Sequence, residues 1–121
     1  MWLLNVETYE LEHFIDASTP AYAILSHTWE KEEVSFQEMR DLENAKLKAG
    51  FWKIDQTCPE AKFRGLRYAW VDTCCIDKTS SSELQESINS MFGWYRAAEV
   101  CFAYLSDVEH AKLFPNNSFD S

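Results

Sequence analysis

Apolar positions along the chain fall into two rhythms. Short, nearly unbroken runs occur at residues 22–25, in the first half of 66–78, and at 100–105. Such runs, with aromatic and β-branched side chains, suit strands buried on both faces of a sheet. Between them the spacing widens to three or four residues. Phe36, Met39 and Leu42 predict a helix over 35–47, and Ser35 followed by Glu38 is a capping-box pattern at its start. Ile54, Cys58 and Ala61 predict a second helix over 51–63, which Pro59 should kink or divide. Leu84, Ile88, Met91, Phe92 and Tyr95 predict a third over 83–98, with caps available in the Thr79–Ser82 run. Residues 2–6 read as a short edge strand, 7–17 as an irregular connection, and 109–121 as an irregular tail.

Strand, helix, strand, helix, strand is the order of an α/β domain with a parallel sheet and covering helices. Each buried run stops at polar residues: Ser26-His27, Asp72-Thr73 and Ser106-Asp107. In a parallel sheet these ends share one edge, where α/β proteins keep their ligands.

Composition narrows the function. The 121 residues suffice for one domain with one core, and the net charge of -9 would repel a phosphate backbone. No nucleic-acid partner is expected. No apolar run approaches membrane-spanning length, so no membrane partner is expected either. The four cysteines include the adjacent pair Cys74 and Cys75 and form no C-x-x-C motif. They read as buried thiols in a reducing compartment, with no metal.

Three constellations are open to chemistry. One is a polar pocket of Ser26, His27, Trp29, Asp72 and Asp77, in which Trp29 would stack on a base or nicotinamide ring and the aspartates would hold ribose hydroxyls. The competing reading makes Asp72 a loop cap and His27 an ordinary loop histidine. The second is nucleophilic attack by Cys74 or Cys75 with His27 as base, although nothing in the sequence depresses a thiol pKa. The third is a carboxylate, Glu83 or Glu86, whose plainer role is to favour the helix dipole. With three glycines in the chain and no Gly-rich motif, a backbone phosphate cradle is not expected.

The segment Tyr22-Ala23-Ile24-Leu25-Ser26-His27-Thr28-Trp29, the block from Tyr68 to Lys78, and Ile88-Asn89-Ser90-Met91-Phe92-Gly93-Trp94-Tyr95-Arg96 together resemble the fungal heterokaryon incompatibility (HET) domain. The resemblance runs to about Val108, giving a HET domain (amino-terminal portion) over 1–108. It implies a cytoplasmic protein of fungal nonself recognition that triggers programmed cell death through assembly with protein partners, either itself or other HET and regulatory proteins.

HET domains are also held to be similar to Toll/interleukin-1 receptor (TIR) domains, some of which cleave NAD. That likeness implies a TIR-like, flavodoxin-like parallel sheet with flanking helices, truncated here, and NAD as a possible substrate. Ser26, His27, Trp29 and Asp72 would form the nucleotide pocket, and Asp77, Lys78, Ser80 and Ser81 the assembly loop. Two departures stand out: Glu30 replaces the family's usual glycine after Thr28-Trp29, and Pro59 interrupts a helix. The segment resembling the TIR helix with its catalytic glutamate would lie beyond Ser121. No catalytic residue is therefore assigned, and the chain would lack the carboxylate of an NAD-cleaving enzyme; beside assembly the resemblance leaves open a TIR-like NAD-cleaving enzyme or a truncated relative that is inactive or inhibitory.

Overall fold

A computed structural model describes residues 1–27, 29–104 and 112–115. Strand β1 spans Trp2–Asn5, β2 Leu11–His13, β3 Ala23–His27, β4 Tyr68–Val71, β5 Val100–Tyr104 and β6 Lys112–Pro115. Helices α1 (Phe36–Met39), α2 (Leu42–Ala45) and α3 (Phe51–Phe63) join β3 to β4, and α4 (Ser81–Ala97) joins β4 to β5.

The six strands form one sheet in the order β2-β1-β4-β3-β5-β6. Its centre is parallel, with β3 between β4 and β5, as the three apolar runs predict. The margins correct the expectation of a wholly parallel sheet: β1 pairs antiparallel with β2 and β4, and β6 pairs antiparallel with β5. Hairpin-like partners finish both sides of the sheet, a pairing that short connections permit and parallel crossovers do not. The run at 2–6 is accordingly not the edge, because β2 lies outside it. Residues 7–17 hold β2 and the start of a 3₁₀ turn at Asp16–Ser18 rather than a wholly irregular link. The tail expected to be irregular over 109–121 contains β6, and its other residues lie outside those described.

Pleat parity explains the layers. Ile24, Trp70 and Cys101 share one register row, and Leu25, Val71 and Phe102 the next. Successive rows face opposite ways. The Trp70 row meets α4, where Trp94 and Tyr95 contact the Trp70 ring edge-on at centroid distances of 5.5 and 6.1 Å. Tyr22 ties the same helix down by donating to the Trp94 carbonyl at 2.7 Å. The Phe102 row meets the other layer, with the Arg64 guanidinium just past α3 lying 5.8 Å from the Phe102 ring. Two right-handed crossovers that leave β3 and β4 in opposite directions place their helices on opposite faces in this way.

Helix-scale expectations were met unevenly. The Ser35–Glu38 capping box forms with both of its hydrogen bonds. The helix expected over 35–47 is two short pieces, because Asp41 leaves helical geometry and caps a new start at Asn44. Pro59 lies inside α3 without dividing it. In α4 the structure reverses two assignments: Ile88 and Phe92 are 55% and 68% exposed, while Ser87 is buried. The buried side follows the line Leu84, Ser87, Met91 and Trp94, about 60° round from the expected stripe.

Candidate functional site

The connections leaving β3 and β4 run to opposite faces, so the carboxyl ends of these neighbouring strands meet at the point where the connections part. His27 is the last residue of β3, and Asp72 follows the last residue of β4. His27 Nε2 lies 2.8 Å from Asp72 Oδ1, and Trp29 donates its indole N–H to Asp72 Oδ2 at 2.9 Å. The indole lies nearly parallel to the imidazole, with centroids 6.4 Å apart and planes 22° apart. Two of the residues proposed for a pocket, His27 and Trp29, thus converge on the carboxylate of a third, Asp72.

Their support comes from two residues that periodicity alone did not reveal. Lys53, on α3, is buried and its ammonium lies 3.1 Å from His27 Nδ1 and 2.6 Å from Glu33 Oε2. Glu30 lies 3.5 Å from the same ammonium and supplies a further carboxylate. Glu33 also accepts from the Glu30 backbone N–H at 2.8 Å, fixing the loop after Trp29. Lysine is a donor without an acceptor, so His27 Nδ1 accepts from Lys53. His27 Nε2 then carries the proton and donates to Asp72. A polar series from Glu33 through Lys53 and His27 to Asp72 and Trp29 results. Its sequence signal is Lys53 itself, a charged residue set among the apolar positions 51, 54, 58 and 61.

Gly50 holds the same loop close. A Cβ there would lie 2.8 Å from the Glu32 carbonyl oxygen and 2.9 Å from Glu33 Cα. The glycine N–H donates to that carbonyl at 3.0 Å, and Glu32 accepts a positive φ of 60° to present it.

The remaining candidates lie elsewhere. Ser26 points to the opposite face of the sheet, within hydrogen-bonding reach of the Tyr95 hydroxyl. Asp77 accepts from Gln37 Nε2 at 2.7 Å and from the Thr79 backbone N–H at 3.0 Å, outside the His27 cluster. These bonds to Thr79 and Gln37 hold its carboxyl below the usual range. Ser80 caps α4 by accepting from the Glu83 backbone N–H, while Ser81 is exposed. Lys78 reaches back to donate to the backbone carbonyls of Asp72 and Thr73, and its ammonium lies 5.0 Å from the Trp29 ring centroid. Desolvation of that ammonium lowers its pKa, against the opposing pull of Asp72.

The thiols do not assemble a nucleophile. Cys74 and Cys75 are buried with sulfurs 4.0 Å apart, and the hydrogen bond between them, followed by burial, raises the Cys74 pKa. His27 is occupied by Asp72 and Lys53. Glu83 is held as a first-turn acid whose Oε1 accepts from the Asp77 backbone N–H at 3.4 Å. Among the described residues, no group of three or more His, Cys, Asp or Glu side chains is placed to hold a metal, and no helix is long and apolar enough to cross a membrane.

A three-strand parallel core between antiparallel margins, with a polar cluster at its carboxyl edge, defines an α/β domain of the kind that carries its site on loops. The family model described as Heterokaryon incompatibility protein (HET) matches residues 22–120, and the chain belongs to that family. It is similar to Vegetative incompatibility protein HET-E-1 of Podospora anserina, at 53% identity over 95 residues. That match covers 77% of this chain and 7% of the relative's length. No solved structure matches the chain.

Proposed function

We propose that the chain is the HET-domain module of a cytoplasmic protein of fungal nonself recognition, which signals heterokaryon incompatibility by assembling with protein partners and so triggers programmed cell death. Family membership and the likeness to a vegetative incompatibility protein support the biological role. The β4-β3-β5 core, in which the first parallel strand lies between the second and third, supports a TIR-like, flavodoxin-like reading of the fold.

One observation carries the assembly mechanism. The loop from Asp77 to Ser80 is ordered by its own bonds yet turned outward. Asp77 is tied to Gln37 and Thr79, Ser80 is tied to Glu83, and Thr79 and Ser81 stand exposed. A surface already held in one conformation loses little entropy on docking. The NAD-cleaving alternative draws support from the convergence of His27, Trp29 and Asp72, but with Trp29 seated both Asp72 oxygens are engaged.

The test is a Ser81→Arg substitution, which leaves Asp77 and Ser80 in place. Light scattering should show loss of self-association, and fungal cells expressing the variant should survive, with the melting temperature unchanged. Undiminished assembly and undiminished death in the variant would sink the assignment of this loop.

A further inference from the structure

We propose that Trp29 is a displaceable plug in a binding slot for a planar heteroaromatic ring that carries an N–H donor. This inference goes beyond the assembly reading and does not depend on it. The slot has three fixed parts. The His27 imidazole lies nearly parallel to the ring, the Asp72 Oδ2 accepts at its N–H edge, and the Lys78 ammonium lies 5.0 Å from its centroid.

Each part is held by atoms other than Trp29. His27 is fixed between Asp72 Oδ1 and Lys53. Asp72 bonds His27 through Oδ1, the oxygen that Trp29 does not use. Lys78 is anchored on the backbone carbonyls of Asp72 and Thr73. The arrangement therefore survives removal of the indole.

The plug itself is lightly held. Trp29 is 52% exposed, whereas Trp70 in the core is fully buried. A cavity of about 120 Å³, lined in part by Trp29, Val34, Thr73 and Lys78, adjoins the ring and gives it room to move. The slot also stands at the carboxyl ends of parallel strands, where α/β sheets bind ligands. Asp72 sets the ligand class, because an ionised carboxylate only accepts hydrogen bonds. A ring with an N–H on that edge satisfies it; one presenting only acceptors does not.

One charged hydrogen bond and one exposed cation–π contact hold the plug, so the slot should stand open on the order of 0.1–3% of the time. Affinity scales with that fraction, so removing the plug should tighten binding about thirtyfold to a thousandfold.

The experiment titrates the wild-type chain and Trp29→Ala with indole, 1-methylindole and adenine by ligand-observed NMR. The expected result is saturable binding of indole and adenine to the variant, about thirtyfold to a thousandfold tighter than to the wild type. 1-Methylindole, which lacks the donor, should bind at least about tenfold more weakly than indole. Absence of saturable binding to the variant would overturn the proposal. So would equal affinity in the two proteins, or equal binding of indole and 1-methylindole. If Trp29→Ala does not fold, Trp29→Phe keeps a ring and removes its donor, and should bind indole more tightly than wild type. In the wild type labelled with 5-fluorotryptophan, adenine should shift the Trp29 fluorine resonance; an unmoved resonance at saturation would also refute displacement.

Discussion

At the residue scale, Lys53 is the most consequential side chain. Its ammonium is buried against Glu33, whose side chain is itself only 10% exposed. Removing one partner of such a pair leaves the other charge desolvated and alone, which costs on the order of 3–5 kcal/mol. Lys53→Met should lower the urea midpoint accordingly, and the double variant with Glu33→Gln should recover part of the loss. The thiols make a second prediction. Burial pushes Cys58 up to about 12 and Cys101 up to about 11, from an ordinary value of 9.0. A raised thiol pKa favours the fold below the unfolded value and loses that advantage as pH rises towards the folded one. Stability should therefore decline between about pH 9 and pH 11–12, by at most about 1.4 kcal/mol per pH unit for each thiol. Urea midpoints measured across that range check it, and a flat profile would contradict it.

At the scale of elements, the sequence was most informative where a single period ruled. The three buried strands and the start of α1 were legible because unbroken apolar runs and a capping box have few alternative meanings. The split of α1 from α2 was not, because Asp41 is an ordinary helix-surface residue until its side chain finds the Asn44 N–H. The error in α4 has a similar cause. Ile88 and Phe92 satisfy helical spacing as well as Leu84 and Met91 do, and only the position of Trp70 decides which stripe faces inward. His27, Trp29 and Asp72 could be read as neighbours from the shared carboxyl edge. Lys53 and Glu33 could not, since they come from a helix and a loop whose approach depends on tertiary packing. Pro59 supplies a prediction at this scale. It is exposed, and its missing N–H leaves the Asp55 carbonyl without its helical donor. Pro59→Ala should stabilise α3 by on the order of 1 kcal/mol, the regained helical bond outweighing the freer unfolded chain. Thermal melts of the two proteins would show it as a rise of a few degrees.

At the scale of the whole molecule, charge and apolar surface are distributed unequally. The chain carries a net charge of -9, yet Ile88 and Phe92 stand side by side one helical turn apart on the outer face of α4. Neither contributes to the core, so Ile88→Lys with Phe92→Lys should change stability by less than about 1 kcal/mol. A larger fall in the denaturation midpoint would mean that this face is covered in the folded protein.

The strand order also governs how the protein reaches its fold. The β1–β2 hairpin joins residues separated by a short turn and can close within microseconds. The pairing of Ala23 with Ala69 must wait for more than forty residues to be gathered in, and that of Ala23 with Val100 for more than seventy. Such distant pairings slow folding and leave the central strands unprotected until late. A newly made chain therefore presents apolar β3 to its surroundings before either lasting neighbour has arrived. Its interval of greatest exposure to other chains comes before folding is complete.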